Sequence, residues 1–436
     1  MAKFNYAVCY LVDATCQTPL RTGGTEKSVL CGADGLPMIQ GGSIAGVLRS
    51  YLALEQGEEA AKHLFGSSEG LGVDSMLTVS DGRFQTKCTP QSRPRLRIDR
   101  KTGTGEDGKL FHTDGLPSGT TFSFQLLLKQ HLPAGTLTPA GTLTPAGTPE
   151  EETVETLLRA MHAGEITIGG QRSNGFGAVA LAVRRQRYDL TDAADRTAWI
   201  QEEAPKDTVQ LELSKEKAWG VQFVVTGQMS SVLVRSGRSE RRGDQTVALP
   251  MQENGHYLLP ASSLKGCIRS QAERIASYLR REDLISTLFG EEAVRGFTGT
   301  AAKLRVHECR MEQVKQETVI TRTCINRFTG GVMEKRLFSQ MPVSGHVRIQ
   351  VDLVRPTTAQ ERAILFYALR DLAAGLYSVG SGNTVGYGYL SDGMLTVHDG
   401  DETCTFRYQE QQQSVSGKLE LVETWLNALE KGGSPA

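Results

Sequence analysis

The chain has 436 residues, 39% of them hydrophobic and 22% charged, with a formal net charge of −1. Single cores stop growing near roughly 250–300 residues, so this length predicts two domains. No apolar run approaches the roughly 18 residues that a membrane helix needs, which predicts a soluble chain with no membrane contact, and the near-neutral charge excludes a uniformly basic coat for nucleic acid.

The first strand-like segment, Phe4 to Val12, has no charged-then-apolar leader before it, so a cytoplasmic location is expected. The eight cysteines form no CxxC pair and no close Cys/His spacing, which predicts reduced thiols and no structural zinc site. A Gly/Ser/Arg loop comes next, and then the helix start Gly42-Ser43-Ile44-Ala45-Gly46-Val47-Leu48-Arg49. Leu64-Phe65-Gly66 follows, then Ile98-Asp99-Arg100-Lys101-Thr102-Gly103, which with Lys109-Leu110-Phe111 reads as a β-hairpin with a polar tip. Alternation over Thr121 to Leu128 predicts a strand, Glu151 to Met161 a helix, and Gly169 to Gly177 (GGQRSNGFG) a glycine loop. Between strand and helix, Pro133-Ala134-Gly135-Thr136 repeats at 139 and 145; such a Pro/Gly repeat cannot pack a core and predicts a surface insertion over 133–148.

After a polar stretch, Tyr188 to Asp207, the same landmarks return in the same order. Val221 to Val225 opens a strand, and Ser262-Ser263-Leu264-Lys265-Gly266-Cys267-Ile268-Arg269 opens a helix. Ser262 or Ser263 is the expected cap, and apolar residues 264, 268, 272, 275 and 279 form the stripe that packs on a sheet. Lys265 and Arg269, four apart, share the other face near a helix N-terminus, where unpaired N–H groups already favour a phosphate. Leu288-Phe289-Gly290, Ile325-Asn326-Arg327-Phe328-Thr329-Gly330, a strand over Val347 to Leu353, a helix over Ala359 to Leu372 and Gly380 to Gly388 (GSGNTVGYG) complete the second copy. The chain therefore divides into 1–187, a linker 188–207, and 208–436 with a C-terminal tail. The order βαββαβ in each copy points to an α+β, ferredoxin-like core.

Positive charge gathers beside these landmarks despite the balanced total. Arg93, Arg95, Arg97, Arg100 and Lys101 form one cluster, Arg235, Arg238, Arg241 and Arg242 a second, and Lys303 with Arg305 a third. Each is a candidate polyanion contact.

The helix start, the Leu-Phe-Gly triplet, the Ile-Asp/Asn-Arg-x-Thr-Gly hairpin and the glycine loop, in order and twice, resemble the RAMP superfamily. More narrowly they resemble backbone subunits of type III CRISPR effector complexes, here as two fused copies. The resemblance implies two tandem ferredoxin-like (RRM-like) RAMP domains, each with a β-hairpin thumb and a glycine-rich loop. It further implies a guide crRNA, a complementary target RNA and other effector subunits as partners. The residues it offers to RNA are Arg21, Gly42, Ser43, Arg49, Arg100, Arg172, Arg235, Arg238, Ser262, Ser263, Lys265, Arg269, Arg327, Gly380, Gly382 and Asn383.

Active members of that family cut target RNA with a carboxylate in the loop between the first strand and the first helix. Asp244-Gln245-Thr246-Val247 holds that place in the second copy, and Glu26-Lys27-Ser28-Val29 in the first. The resemblance thus implies Asp244 and Glu26 as catalytic acids and Mg²⁺ or another divalent cation as cofactor. One carboxylate anchors a hydrated ion without making a closed protein site. No histidine lies in either loop, so histidine acid/base chemistry has little support. Two other expectations stay open: a scaffold that binds crRNA without chemistry, and a guide-processing endoribonuclease.

Overall fold

The computed structural model describes residues 4–23, 29–67, 72–99, 102, 104–132, 147–211, 220–242, 245–291, 299–316, 319–409 and 412–431. Of the expected insertion 133–148, residues 133–146 lie outside them, and Thr148, rather than belonging to a surface insertion, is buried as the cap of the helix that follows.

In the first repeat, β1 (Tyr6–Cys16) and β2 (Met38–Ile39) precede α1 (Gly41–Gln56) and α2 (Glu58–Phe65). Then come β3 (Leu77–Val79), β4 (Gly82–Phe84), the hairpin β5 (Gln91–Ile98) and β6 (Gly105–Gly115), β7 (Thr121–Gln130), α3 (Pro149–His162) and β8 (Val179–Asp189). The stretch expected as a linker carries α4 (Ala193–Ile200) and β9 (Asp207–Thr208). Strand order is β2-β4-β7-β1-β8-β9, with β3 also on β7, so the opening strand lies between β7 and β8 and is antiparallel to both. That is the ferredoxin-like arrangement. Alternate residues of β1, Tyr6, Val8, Tyr10, Val12 and Ala14, are buried in one core with Ile44, Leu48 and Leu52 of α1 and Val154, Leu157, Leu158 and Met161 of α3. Helix α3 starts where Thr148 and Glu151 form a capping box with Pro149 at the first turn. Glu151 is buried; it also accepts from the Tyr6 hydroxyl at 2.9 Å and from Arg187 Nε at 2.7 Å, which satisfies the carboxylate.

The second repeat runs β10 (Val221–Val232), β11 (Arg235–Arg242), β12 (Gln245–Pro250), β13 (Gln252–Glu253), β14 (His256–Leu259), α5 (Ala261–Tyr278) and α6 (Asp283–Phe289). It continues with β15 (Leu304–Val306), β16 (Cys309–Arg310), β17 (Glu312–Gln316), the hairpin β18 (Ile320–Ile325) and β19 (Val332–Gln340), β20 (Val343–Leu353) and α7 (Ala359–Ala373). Its sheet order is β15-β20-β10 followed by β21 (Leu390–Asp399), β22 (Glu402–Gln409) and β23 (Gln412–Gly417), the same topology with two strands added at one edge. The expected tail is therefore part of the fold. Its helix α8 (Glu420–Lys431) puts Val422, Trp425 and Leu429 into the second core, with Trp425 against Phe223 at 6.1 Å between ring centroids. Helix α7 repeats the capping box with Thr358 and Glu361, and Lys303 Nζ meets the Glu361 carboxylate at 2.7 Å.

Two compact units result. One comprises Met1–Ser92, Thr113–Arg172 and Phe176–Lys215; the other comprises Glu216–Ala436 together with Arg93–His112 and Ser173–Gly175. The hairpin β5–β6 and the tip of the first glycine loop are thus contributed by the first repeat to the second unit. Among the described residues no helix is long and apolar enough to cross a membrane.

Candidate nucleic-acid interface

The two glycine loops close in the same way. Ile168 donates its N–H to the Gly177 carbonyl at 3.0 Å, and Val379 donates to the Gly388 carbonyl at 2.9 Å. Gly177 and Gly388 have φ of 84° and 73°, and a Cβ on either would lie 1.9 or 2.0 Å from a carbonyl oxygen of the facing residue. Gly380 is similarly pressed on the Leu233 carbonyl and Gly382 on the Tyr387 ring. Packing inside the chain accounts for these glycines. The surface each loop presents is instead the short 3₁₀ turn Arg172–Asn174 or Asn383–Val385, where Arg172 and Asn383 are exposed. Arg21 lies beneath the first loop, its carbonyl accepting from Gly170 N–H at 2.9 Å. In the second loop the buried Tyr387 ring carries the Arg322 guanidinium of β18 4.7 Å from its centroid.

The helix starts differ from expectation. Pro260, not Ser262 or Ser263, is the N-cap of α5, and no side chain caps it. Both serines fall inside the first turn, because proline fixes an extended-type backbone before the helix and the chain turns helical at Ala261. In α1, Gln40 takes the cap position, Gly41 N–H donates to Asp81 Oδ1 at 2.9 Å, and Gly42 and Ser43 are exposed on the first turn. Arg49 is ion-paired with Glu58 at 3.0 Å. Arg269 is held by Glu273 at 2.8 Å, one turn on, so the i,i+4 pair that forms is 269 with 273. Lys265 keeps its place near the helix start; burial pushes its ammonium down to about 8, and the Arg269 charge adds to the effect. A Cβ at Gly46 or Gly266 would meet nothing within 4 Å, so neither mid-helix glycine is required by internal packing.

The basic clusters separate into two kinds. Arg235, Arg238, Arg241 and Arg242 are exposed along β11, which pairs with β12; β12 in turn runs parallel to β19, with Val247 opposite Ser339. Basic strand and hairpin thereby join in one four-stranded sheet, β11-β12-β19-β18. Arg93 and the pair Lys303/Arg305 are corrections to the expected surface clusters. Arg93 is 6% exposed and ion-paired to Glu253 and Glu308, Lys303 is held by Glu361, and Arg305 is buried. Sequence reading could not find the Arg93 contacts, because their partners lie 160 and 215 residues away.

The hairpin tips explain their own motif. Asp99 Oδ1 accepts from Thr102 N–H at 2.9 Å, and Asn326 Oδ1 accepts from Thr329 N–H at 3.2 Å and Phe328 N–H at 2.9 Å. The Asp/Asn and Thr of the repeated motif are therefore turn-formers. They leave Arg327 exposed and Phe328 completely so. Ile325, Val332 and Leu337 add exposed apolar surface to the second hairpin, and Leu96, Ile98, Leu110 and Phe111 to the first. A polar tip with arginines and uncovered apolar side chains can hold a phosphate and stack on a base in one approach.

Glu26, Asp244 and Arg100 lie outside the described residues. The strands that bracket Asp244 end with Arg242 opposite Gln245, on the same sheet as the thumb hairpin. Among the described residues no group of three His, Cys, Asp or Glu could hold a metal ion.

No curated protein matches the chain significantly. The family model of the RAMP superfamily matches residues 13–180 and 229–391, one stretch in each repeat and together most of the chain. The twice-built ferredoxin-like fold and these matches place the chain in the RAMP superfamily, as two RAMP domains in tandem, and that membership implies a CRISPR-associated RNA-binding subunit.

Proposed function

We propose that the chain is a double backbone subunit of a type III CRISPR effector in the cytoplasm, binding guide crRNA and cutting complementary target RNA beside each thumb hairpin. The observation that carries this reading is the joint sheet of the second repeat, whose strand β11 exposes its arginines and whose hairpin β18–β19 ends in the exposed tip Arg327-Phe328. Other effector subunits are the further partners.

In the step proposed, the carboxylate of Asp244 takes the proton of a ribose 2′-OH. The freed oxygen attacks the adjacent phosphorus, the P–O5′ bond breaks, and water supplies the proton that the leaving 5′ oxygen takes. The products end in a 2′,3′-cyclic phosphate and a 5′-hydroxyl. Arginines of β11 offset charge that develops on the phosphate, and an unstacked base beside Phe328 allows the in-line geometry this attack needs. The Asp244 carboxylate would hold Mg²⁺ or another divalent cation, which would supply further stabilisation of the charge that develops on the phosphate. Glu26 is proposed for the same role in the first repeat; its extra methylene shifts the carboxylate, and misplacement by an ångström costs about 100-fold.

The test is to incubate the assembled complex with end-labelled complementary RNA and count cut positions in wild type, Glu26→Ala and Asp244→Ala. Each substitution is expected to remove one position. A second reading, a crRNA-binding scaffold without chemistry, draws on the same hairpins and arginines, which grip RNA without any carboxylate; it stands if no position is lost.

A further inference from the structure

The hairpin β5–β6 pairs only with itself among the described strands, yet it belongs to the second unit. Three contacts hold it and its neighbour there. Arg93, on β5, sends one guanidinium nitrogen to Glu253 on β13 and the other to Glu308, which lies between β15 and β16; Nη2 also reaches Glu308 Oε2 at 3.4 Å. Next along the strand, Pro94 packs on β11, because a Cβ built at Gly237 would lie 3.0 Å from Pro94 Cγ. From the glycine-loop tip, a Cβ at Gly175 would lie 2.7 Å from Ala261 Cβ and 3.5 Å from Glu308 Cγ. The side chains of Arg93, Glu253 and Glu308 are 7%, 5% and 10% exposed, so this guanidinium cannot reach RNA.

What Arg93 does is bring β5 beside β11. Beyond these contacts, Arg97 on β5 is 63% exposed although paired to Glu106 at 3.1 Å, Arg238 on β11 is exposed, and Arg95 on β5 is half-buried. Arg235 precedes Gly237 on the same exposed strand. We propose that β5 and β11 form one composite RNA-binding strip, drawn from both repeats, and that Arg93 is its positioning residue. The proposal rests on the RNA-binding reading above for its ligand, and on the buried ion triad for its geometry. A guanidinium caught between two carboxylates has no cheaper partner, since breaking a buried pair leaves an uncompensated charge. The β5 side of the strip is therefore in place or lost as a unit, while β11 keeps its own ladder to β12.

The experiment uses the full chain in two measurements. The first is hydrogen exchange without RNA, comparing wild type, Arg93→Lys, Arg93→Ala and Glu308→Gln. Arg93→Ala is expected to lose about tenfold or more of the protection of the β5–β6 amides, while those of α3 and α7 keep theirs, with Arg93→Lys and Glu308→Gln in between. Unchanged protection of the hairpin overturns the proposal. The second is titration of a labelled single-stranded RNA. Arg95→Ala and Arg238→Ala are each expected to weaken binding, and Arg93→Ala to weaken it by about tenfold without touching the ligand. In the Arg93→Ala background, Arg95→Ala is expected to cost less than about twofold more, while Arg238→Ala keeps its full effect. Additive losses overturn the proposal, because they show that Arg95 contributes wherever the hairpin sits. If wild type binds no RNA, the RNA reading fails; the exchange result still decides whether Arg93 holds the hairpin. If Arg93→Ala does not fold, Arg93→Lys and Glu308→Gln carry both measurements.

Discussion

The two thumb hairpins end in the same turn but stand on different foundations. Hairpin β18–β19 is continuous with β12 through backbone hydrogen bonds, and Arg322 ties it to Tyr387 of the glycine loop. Hairpin β5–β6 has no such ladder to a third strand among the described residues; a buried arginine between two glutamates, with Pro94 packed on Gly237 beside it, attaches it instead. On the RNA-binding reading proposed above, the tip is constrained by its ligand, and its turn is kept in both copies. The base is constrained only by having to hold, so an extended sheet and an ion triad are alternative solutions. A sheet connection spreads its free energy over many weak bonds, whereas the triad concentrates it in one side chain.

That contrast can be broken most directly at Arg93. Arg93→Ala should cost about 3–5 kcal/mol, the usual penalty for stripping one partner from a buried ion pair, read as a fall in the urea midpoint. Arg322→Ala on the other hairpin should cost only about 0.5–1 kcal/mol, the worth of a cation–π contact near the surface. Equal losses would mean that the foundations do not differ.

The next effect sharpens the comparison between glycines. Gly388→Ala should destabilise by about 2 kcal/mol or more, combining a left-handed backbone with a clash on the Val379 carbonyl. Gly266→Ala should instead stabilise the free protein by about 0.5–1 kcal/mol, since its Cβ points into open space and alanine is the better helix former. Weaker RNA binding by the stabilised Gly266→Ala variant would mark that helix face as a place of close approach.

A third prediction concerns pH. Burial raises the Asp352 carboxyl, but hydrogen bonds from His307, Gln222 and Gln350 outweigh it and hold the group at about 2. A folded value below the ordinary one means that the unfolded chain binds the proton better, so this contribution is complete above pH about 4 and is lost as pH falls toward 2. Acid unfolding of wild type and Asp352→Asn should converge by about 2 kcal/mol across that window. In the first repeat the register position of Asp352, opposite Gln222, is held by Lys129, opposite Ala7, so the substitution should leave the acid sensitivity of that repeat unaffected. The smallest stability change is expected at Phe328, which is fully exposed: Phe328→Ala should leave the urea midpoint unchanged while weakening RNA binding by about 1–3 kcal/mol if the ring stacks on a base.

What was legible in the sequence follows the range of the interactions. The turn at Asp99 and Asn326 is built within four residues, and the stripe Leu264, Ile268 and Ala272 lies on one helix, so both show as local pattern. The duplicated order of such patterns was enough to derive the ferredoxin-like fold. Proline's fixed backbone displaced the expected serine cap by a few residues, which is the normal resolution of cap signals. Helix α8 carries an apolar spacing in Val422, Trp425 and Leu429, but it stands outside the duplicated order of landmarks, which therefore does not point to it. The burial of Arg93, Lys303 and Arg305 was beyond reach, since an arginine-rich strand reads the same whether its carboxylate partners are adjacent or 215 residues downstream.

The route of the chain through Arg93–His112 has a consequence for synthesis. This segment leaves the ribosome well before Glu253 and Glu308 exist, so the guanidinium stays hydrated while the surrounding first unit folds. Maturation of the later half must then recruit a piece of polypeptide made long before it, and translation of the second repeat by itself would yield a body with an open acidic socket.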